Sequence, residues 1–158
     1  MSTYEDPDPG IIGPGSFRYL MDKLVALEEQ VHDDLRVYRY QPVGLPDLPA
    51  IWNWIGGGNF QIIDQMRWRD TVEILVRLGV QHGDLDQQME VIEDYTDAFR
   101  QVIDDALYNI RVGPLEGAAV RGARTGWRNL GISFNDVPVL CMEFPLSFDI
   151  DRRIVPNN

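Results

Sequence analysis

The sequence predicts an α+β fold in which two main helices pack on a mainly antiparallel sheet of about five strands. Three patterns predict it: one long segment alternates apolar and polar residues, two segments repeat apolar residues at helical spacing, and a strand–turn–strand pattern follows the second helix. The elements follow in the order helix, three strands, helix, two strands, without the regular βαβ alternation of a parallel sheet. With 158 residues, the chain is expected to form one domain over residues 16–158.

Residues 1–15 predict a mobile arm, because three prolines and three glycines with few apolar side chains cannot offset the ordering entropy by burial. Ser16 is then a helix N-cap, and a first helix is expected to run as far as Asp33 and Asp34. Its apolar residues recur at helical spacing: Phe17, Leu20, Met21, Leu24, Leu27 and Val31. A short strand over residues 35–41 and a proline-containing loop over 42–49 follow.

The middle of the chain predicts two further strands. Residues 50–55 carry large side chains, and the three glycines at 56–58 predict a flexible loop that continues to Phe60. Residues 69–81 show the alternation of a strand that is covered on one face. The residues expected on that covered face are Val72, Ile74, Val76, Leu78 and Val80.

A second helix is expected from an N-cap at Asp84 or Asp86 to about Asn109. Its apolar stripe comprises Leu85, Met89, Ile92, Tyr95, Phe99, Ile103, Ala106 and Ile110. Residues 111–126 are rich in glycine and alanine and predict a loop. A closing hairpin follows, with strands over 127–134 and 137–150 and a turn at Asn135 and Asp136. Pro145 has no N–H to donate and predicts an edge position or a bulge.

Charge and composition limit the classes of function. The net charge of −11 argues against a conventional nucleic-acid-binding surface, which needs clustered Lys and Arg. Apolar runs are far shorter than the roughly 20 residues that cross a bilayer, so no membrane contact is expected. The first residues lack the basic and apolar regions of a secretory signal, which favours synthesis in a reducing, intracellular compartment. The single cysteine, Cys141, excludes an intrachain disulfide and a four-cysteine zinc site.

The sequence predicts no catalytic, cofactor-binding or metal-binding residues. His32 and His82 lack the spacing of a metal site and are interpreted as surface or hydrogen-bonded histidines. Cys141 lies in an apolar strand and is expected to be a buried, inert thiol. The glycines at 56–58 are not followed by the Lys-Ser/Thr pair of a phosphate-binding loop.

Charged and aromatic residues instead indicate candidate interfaces. The second helix concentrates carboxylates, which form either a solvated face or a negative wall that faces DNA or a basic partner: Asp84, Asp86, Glu90, Glu93, Asp94, Asp97, Asp104 and Asp105. The predicted loop and its flank carry arginines, which are either solvated or complementary to that helix in a neighbouring copy: Arg111, Arg121, Arg124 and Arg128. Trp52 and Trp54 are further candidates, as core or interface residues, and Asn59 and Phe60 of the glycine-rich loop are candidates for an interface or the lumen of an assembly.

Three segments carry a resemblance to a known family. They read LPAIWNWI at residues 48–55, ISFNDVPVL at 132–140 and EFPLSF at 143–148. With the strand and helix between them, the chain resembles the tail terminator proteins of siphophages over residues 16–150. The resemblance implies a virion protein of the tail and neck, made in the host cytoplasm, that forms a homo-hexameric ring on the tail tube. The ring would stop tube polymerisation, contact the head connector and let genomic DNA pass through its centre without sequence-specific binding.

Two alternatives stay open. A head–tail connector, a stopper or a tail-tube subunit would belong to a neighbouring structural class. A small hydrolase or ligand-binding protein would use the carboxylates of the second helix, and its sign would be a concave pocket that holds at least two of them with strongly shifted pKa values.

Overall fold

The computed structural model describes residues 2–4, 17–65, 67–80, 85–108 and 120–156. Its elements, in chain order, are β1 (Ser2–Tyr4), α1 (Phe17–Glu28), β2 (Arg36–Tyr38), β3 (Ala50–Ile62), β4 (Arg67–Val80), α2 (Leu85–Tyr108), β5 (Val120–Thr125), β6 (Arg128–Phe134) and β7 (Val137–Pro156).

The sheet is mostly antiparallel, and the predicted α+β class is confirmed. The strands follow the order β1-β7-β4-β3-β2, and β5 and β6 also pair with β7. Only the short β2–β3 pair is parallel among the described strands. The sheet has more strands than expected, because β1 and β5 form within segments that the sequence indicated as an arm and a loop. The rest of that arm, with Ser16 and residues 111–119 of the loop, lies outside the described residues.

Both helices pack on one face of the sheet, called here the helix side. Alternate residues of β4 from Ile74 to Val80 are buried there, as predicted, together with alternate residues of β7 from Met142 to Ile150. The rings of Phe99 in α2 and Phe144 in β7 stack with centroids 4.2 Å apart. Alternation on two adjacent strands thus provides one continuous apolar surface for both helices.

The helices differ from expectation at particular positions. α1 ends at Glu28 rather than near Asp34, because the N–H groups of Gln30 and Val31 turn back to carbonyls three residues earlier. In α2 the predicted bounds are close to those observed, but Met89 is exposed and its neighbour Gln88 is buried. The predicted cap Asp84 and the helix end at Asn109 and Ile110 lie outside the described residues.

The glycine triplet is part of a strand, so the predicted flexible loop at residues 56–60 is wrong. β3 continues through the glycines to Ile62 and pairs with β4, with a bulge between Ile55 and Gly57. Gly57 has a φ of 137°, which side-chain-bearing residues rarely adopt. A Cβ on Gly58 would lie 2.2 Å from the Thr71 carbonyl oxygen. The glycines therefore permit a bulged, close strand pairing rather than a turn.

The closing hairpin is confirmed. Asn135 and Asp136 have φ angles of 49° and 68°, as a two-residue type I′ turn requires. Pro145 does not lie in an edge strand, because β7 pairs with β4 on one side and with β5 and β6 on the other. Its carbonyl accepts a hydrogen bond from Gly126 N at 3.2 Å, at the break between β5 and β6. The nitrogen of Pro145 points to the same side of β7 as its carbonyl. The N–H that proline lacks would therefore point at the break between β5 and β6.

Candidate functional site

The sheet face opposite the helices, called here the outer face, is covered at one end. There Trp52 is completely buried and packs edge-to-face on Phe134, with ring centroids 5.6 Å apart. Tyr38 and Leu48 cover this cluster from β2 and the following loop. Gly79 makes room for the Trp52 indole, since a Cβ at residue 79 would lie 2.7 Å from it. Of the two roles considered for Trp52, the structure thus assigns the core.

Cys141 belongs to this buried cluster, so the predicted burial of its thiol is confirmed. Burial raises the pKa of the Cys141 thiol to about 12. A thiol with such a pKa is almost entirely protonated at neutral pH and is a poor nucleophile.

A buried ion-paired cluster lies beside Trp52 on the outer face. The Glu143 side chain is completely buried and accepts hydrogen bonds from Arg77 Nε at 2.8 Å and from Arg128 Nε at 2.6 Å. Arg77 also donates to Gln41 Oε1 at 3.2 Å. Arg128 remains 62% exposed in its side chain despite this pairing. Two guanidinium groups on one carboxylate leave the cluster with a net positive charge.

The outer face is uncovered two residues further along each strand, beyond the cross-strand neighbours Trp52, Arg77 and Glu143. Trp54, Leu75 and Pro145 are direct cross-strand neighbours on β3, β4 and β7. Trp54 is 49% exposed, while Leu75 and Pro145 are half-buried. We call this row, with the flanking Arg77 and Arg128, the outer patch. Aromatic residues and arginines next to each other are typical of protein interfaces.

The predicted carboxylates of α2 form an exposed stripe. Glu90, Glu93, Asp94 and Asp97 are all exposed and lie on the opposite side of α2 from the buried Ile92 and Phe99. We call these four residues the acidic stripe. The exposed apolar side chains of Met89 and Val91 flank it. The solvated-face interpretation and the interface interpretation both require this exposure.

The other candidate residues are only partly placed. Arg121 and Arg124 lie in β5 and Phe60 in β3, but their side chains are outside the described part of the chain, as is all of Arg111. Asn59 is exposed in β3 and pairs with Thr71. The structure therefore brings Trp54 and Arg128 onto one face, and it holds the acidic stripe on the other side of the molecule.

A groove of about 420 Å³ lies between α2 and the β5–β6 connection. Its walls include Phe99 and Trp127, and Asp104 is the one carboxylate among the described residues that line it. Asp104 accepts a hydrogen bond from Arg100 at 3.3 Å. Among the residues whose placement is described, no group of three His, Cys, Asp or Glu side chains could hold a metal ion. His32 is exposed and accepts a hydrogen bond from Asp34 N at 3.0 Å, as predicted, whereas His82 is not described.

A buried pair on the helix side was missed by the sequence analysis. Glu28 at the end of α1 accepts a hydrogen bond from Asn53 Nδ2 in β3 at 2.6 Å, and both residues are completely buried. Burial raises the pKa of Glu28 to about 8, although the hydrogen bond from Asn53 opposes the shift. Spacing contained the signal: Glu28 follows Leu20 and Leu24 at intervals of four, and Asn53 shares the helix-side parity of Ile51.

The pair leaves two buried polar atoms without a hydrogen-bond partner. Glu28 Oε2 and Asn53 Oδ1 are buried, and neither has a hydrogen-bond partner. A neutral carboxyl carries an O–H donor that a carboxylate lacks, and Asn53 Oδ1 is an acceptor in need of one. Burial thus favours the neutral form of Glu28, whereas the hydrogen bond from Asn53 favours the charged form.

No helix among the described residues has both the length and the apolar character to span a bilayer. The sequence matches no protein-family model and no curated protein.

Proposed function

We propose that this chain is a structural protein of the virion of a long-tailed phage. It forms a homo-hexameric ring that caps the tail tube, ends tube polymerisation and joins the tail to the head connector. The family resemblance of residues 48–55 and 132–148 supports this assignment. The mostly antiparallel α+β fold is compatible with it.

One structural observation carries the proposal. β3 and β4 continue past the helix-covered core, and the part of β3 that follows Asn53, with the turn after it, exposes Trp54, Ile55, Ile62 and Ile63. Trp54 is on the outer face, whereas Ile55 and Ile62 have the helix-side parity, so both faces of the sheet carry exposed apolar side chains beyond the covered core. An exposed tryptophan such as Trp54 is typical of protein interfaces, in which aromatic residues are enriched.

Charge supports the same class of function. The chain carries a net charge of −11. An acidic ring would repel the DNA backbone and let genomic DNA pass without adhering. The arginines of the outer patch would then serve contacts between proteins rather than contacts with DNA.

The test is assembly with a tail tube. Light scattering would give the mass of the purified chain alone and mixed with the cognate tail-tube protein, and negative-stain images would show the product. Tubes that end in a single ring are the expected result. Chains that stay monomeric and do not join tubes would overturn the proposal and direct attention to the groove beside Trp127 as a ligand site.

The same images separate the neighbouring structural roles. A tail-tube subunit stacks on itself into long tubes, whereas a terminator stops after one ring. A connector or stopper would bind a preassembled head rather than the tube. One ring per tube end, with no growth when more of the chain is added, is the outcome specific to a terminator.

A further inference from the structure

The outer patch and the acidic stripe have complementary charge. The outer patch contains two arginines for one buried carboxylate, Glu143, and Arg128 is largely exposed. Farther along the same face lie Glu73 and Asp149, and Asp149 accepts a hydrogen bond from Thr71 at 3.0 Å. Arg69 lies on the same face near its other end and pairs in register with Asp151, so the described arginines beside Trp54 are Arg77 and Arg128. The acidic stripe, in contrast, has no Lys or Arg between residues 87 and 97.

Both surfaces also combine charge with apolar side chains. Beside its arginines the outer patch carries Trp54, Leu75 and Pro145. Beside its carboxylates the acidic stripe carries Met89 and Val91, both about two-fifths exposed. Apolar contact together with desolvated Arg–carboxylate pairs is the composition of a stable interface rather than of a solvated surface.

The outer patch and the acidic stripe also have similar lengths. Adjacent strands lie about 4.8 Å apart, so the row from Trp54 to Pro145 across three strands measures about 10 Å. The helical rise of about 1.5 Å per residue gives a similar length, about 10 Å, from Glu90 to Asp97. The arginine row lies about 7 Å from the apolar row, within the width of one helix. One helix can thus cover both rows at once.

We propose that the acidic stripe of one copy docks on the outer patch of a second copy of this chain. This contact rests on the proposed function, because it specifies how neighbouring subunits of the ring meet. The two surfaces belong to opposite layers of the molecule, since α2 covers the helix side and the patch lies on the outer face. The contact is therefore heterologous, and such contacts close into rings when the rotation between subunits permits.

A mixed crosslinking experiment tests the contact directly. Trp54→Cys and Asp94→Cys variants are prepared separately, mixed, and treated with a short bis-maleimide under the conditions that give rings. Cys141 is the only native cysteine and is buried, so it adds little background. Crosslinked dimers are expected in the mixture and not with either variant alone. Dimers from one variant alone would indicate a two-fold symmetric contact and overturn the proposal.

Charge variants give a second, independent measurement. Glu90→Lys with Asp94→Lys is expected to weaken self-association about thirtyfold, the size of an interface hot spot. The matched control is Asp33→Lys with Asp47→Lys, which makes the same change in net charge at exposed sites away from the stripe. Trp54→Ser is compared in the same way with Val43→Ser, because Val43 is a fully exposed apolar residue in the loop before β3. Equal effects of variant and control would overturn the contact.

The outcomes separate this contact from the proposed function. Rings without a Trp54→Cys–Asp94→Cys product mean that subunits meet elsewhere, while the tail-capping role stands. Chains that form no rings and join no tubes overturn both. Rings in which the acidic stripe is exchangeable for lysine without loss would place the stripe away from the interface, for example on the lumen.

Discussion

Two glutamates in the described part of the chain, Glu143 and Glu28, are completely buried, and their surroundings differ in charge. Glu143 on the outer face is bound by two arginines, whereas Glu28 on the helix side accepts its hydrogen bond from the neutral amide of Asn53. A buried carboxylate needs a counter-charge, and a carboxyl without one is more stable when protonated. The outer face therefore retains charge beside the exposed Trp54, while the helix side neutralises its acid within the core.

The largest effect is expected from removing the charge of Glu143. Glu143→Gln leaves Arg77 and Arg128 without a counter-charge, and Arg77 is mostly buried. We expect a loss of about 3 kcal/mol in the free energy of unfolding, the range for a broken buried ion pair. Urea unfolding measures it, with Glu73→Gln on the same face as the control. A loss no greater than that of the control would show that the buried pair is not needed.

The second effect is a pH dependence that belongs to Glu28. Its pKa is about 8 in the folded chain and near 4.5 when unfolded, so between these values the folded state holds a proton that the unfolded state has released. Stability from this group is complete below pH 4.5 and is lost as the pH rises to 8. The slope is about −1.4 kcal/mol per pH unit within this window.

Glu28→Gln checks this slope, because the amide keeps a hydrogen-bonding partner for Asn53 and cannot titrate. The difference in unfolding free energy between the variant and the parent, measured from pH 5.5 to 7.5, should move by about 2.7 kcal/mol in favour of the variant. The contributions of the other carboxylates cancel in this difference. A difference in unfolding free energy that does not change with pH would therefore mean that Glu28 is ionised in the folded chain.

A third substitution separates the effect of the Asn53 hydrogen bond on the pKa of Glu28 from the effect of burial. Asn53→Ala removes the donor to Glu28 and should cost about 2 kcal/mol at pH 6, as expected for a buried polar group left without its partner. The hydrogen bond lowers the pKa of Glu28, so its loss should raise that pKa further. The decline in stability should then extend above pH 8. A decline that ends at lower pH in the variant would contradict this account.

The smallest effect is expected at an exposed ion pair. Arg100 and Asp104 are about half exposed and lie one helical turn apart in α2. Asp104→Asn should change the unfolding free energy by less than about 0.5 kcal/mol, because water screens such pairs. Thermal unfolding at low and high salt measures it. A loss comparable to that of Glu143→Gln would mean that burial is not what distinguishes these pairs.

The parts of the fold that local periodicity encodes were predicted from the sequence. β4, α2 and the closing hairpin were predicted close to their bounds, because each carries a strong apolar repeat or a specific turn pair. β5 was missed because its six residues, rich in glycine, alanine and arginine, have no apolar alternation and become a strand only through pairing with β7. The glycines of β3 were misinterpreted as a loop for a similar reason: they form a strand through their bulged pairing with β4, which local sequence does not encode.

The candidate surfaces were also predictable only where local spacing determines them. Exposure of the acidic stripe follows from helical spacing, and the sequence indicated it. The sequence could not place Trp54 on the open face and Trp52 in the core, because their different exposure depends on Tyr38 and Leu48, which cover only one end of the sheet. Glu28 and Asn53 are 25 residues apart, so their contact depends on how α1 crosses β3.

The twenty-residue strand β7 has a consequence for synthesis of the chain. It pairs with β4, β5, β6 and β1, so it provides most of the strand pairs of the sheet and is the last described strand to leave the ribosome. Until it emerges, β4 has an unpaired edge and α2 lacks the part of the sheet that β7 provides. Such nascent edges invite aggregation, and the strongly acidic α2, which is made before β7, would keep the unfinished chain dispersed by charge repulsion.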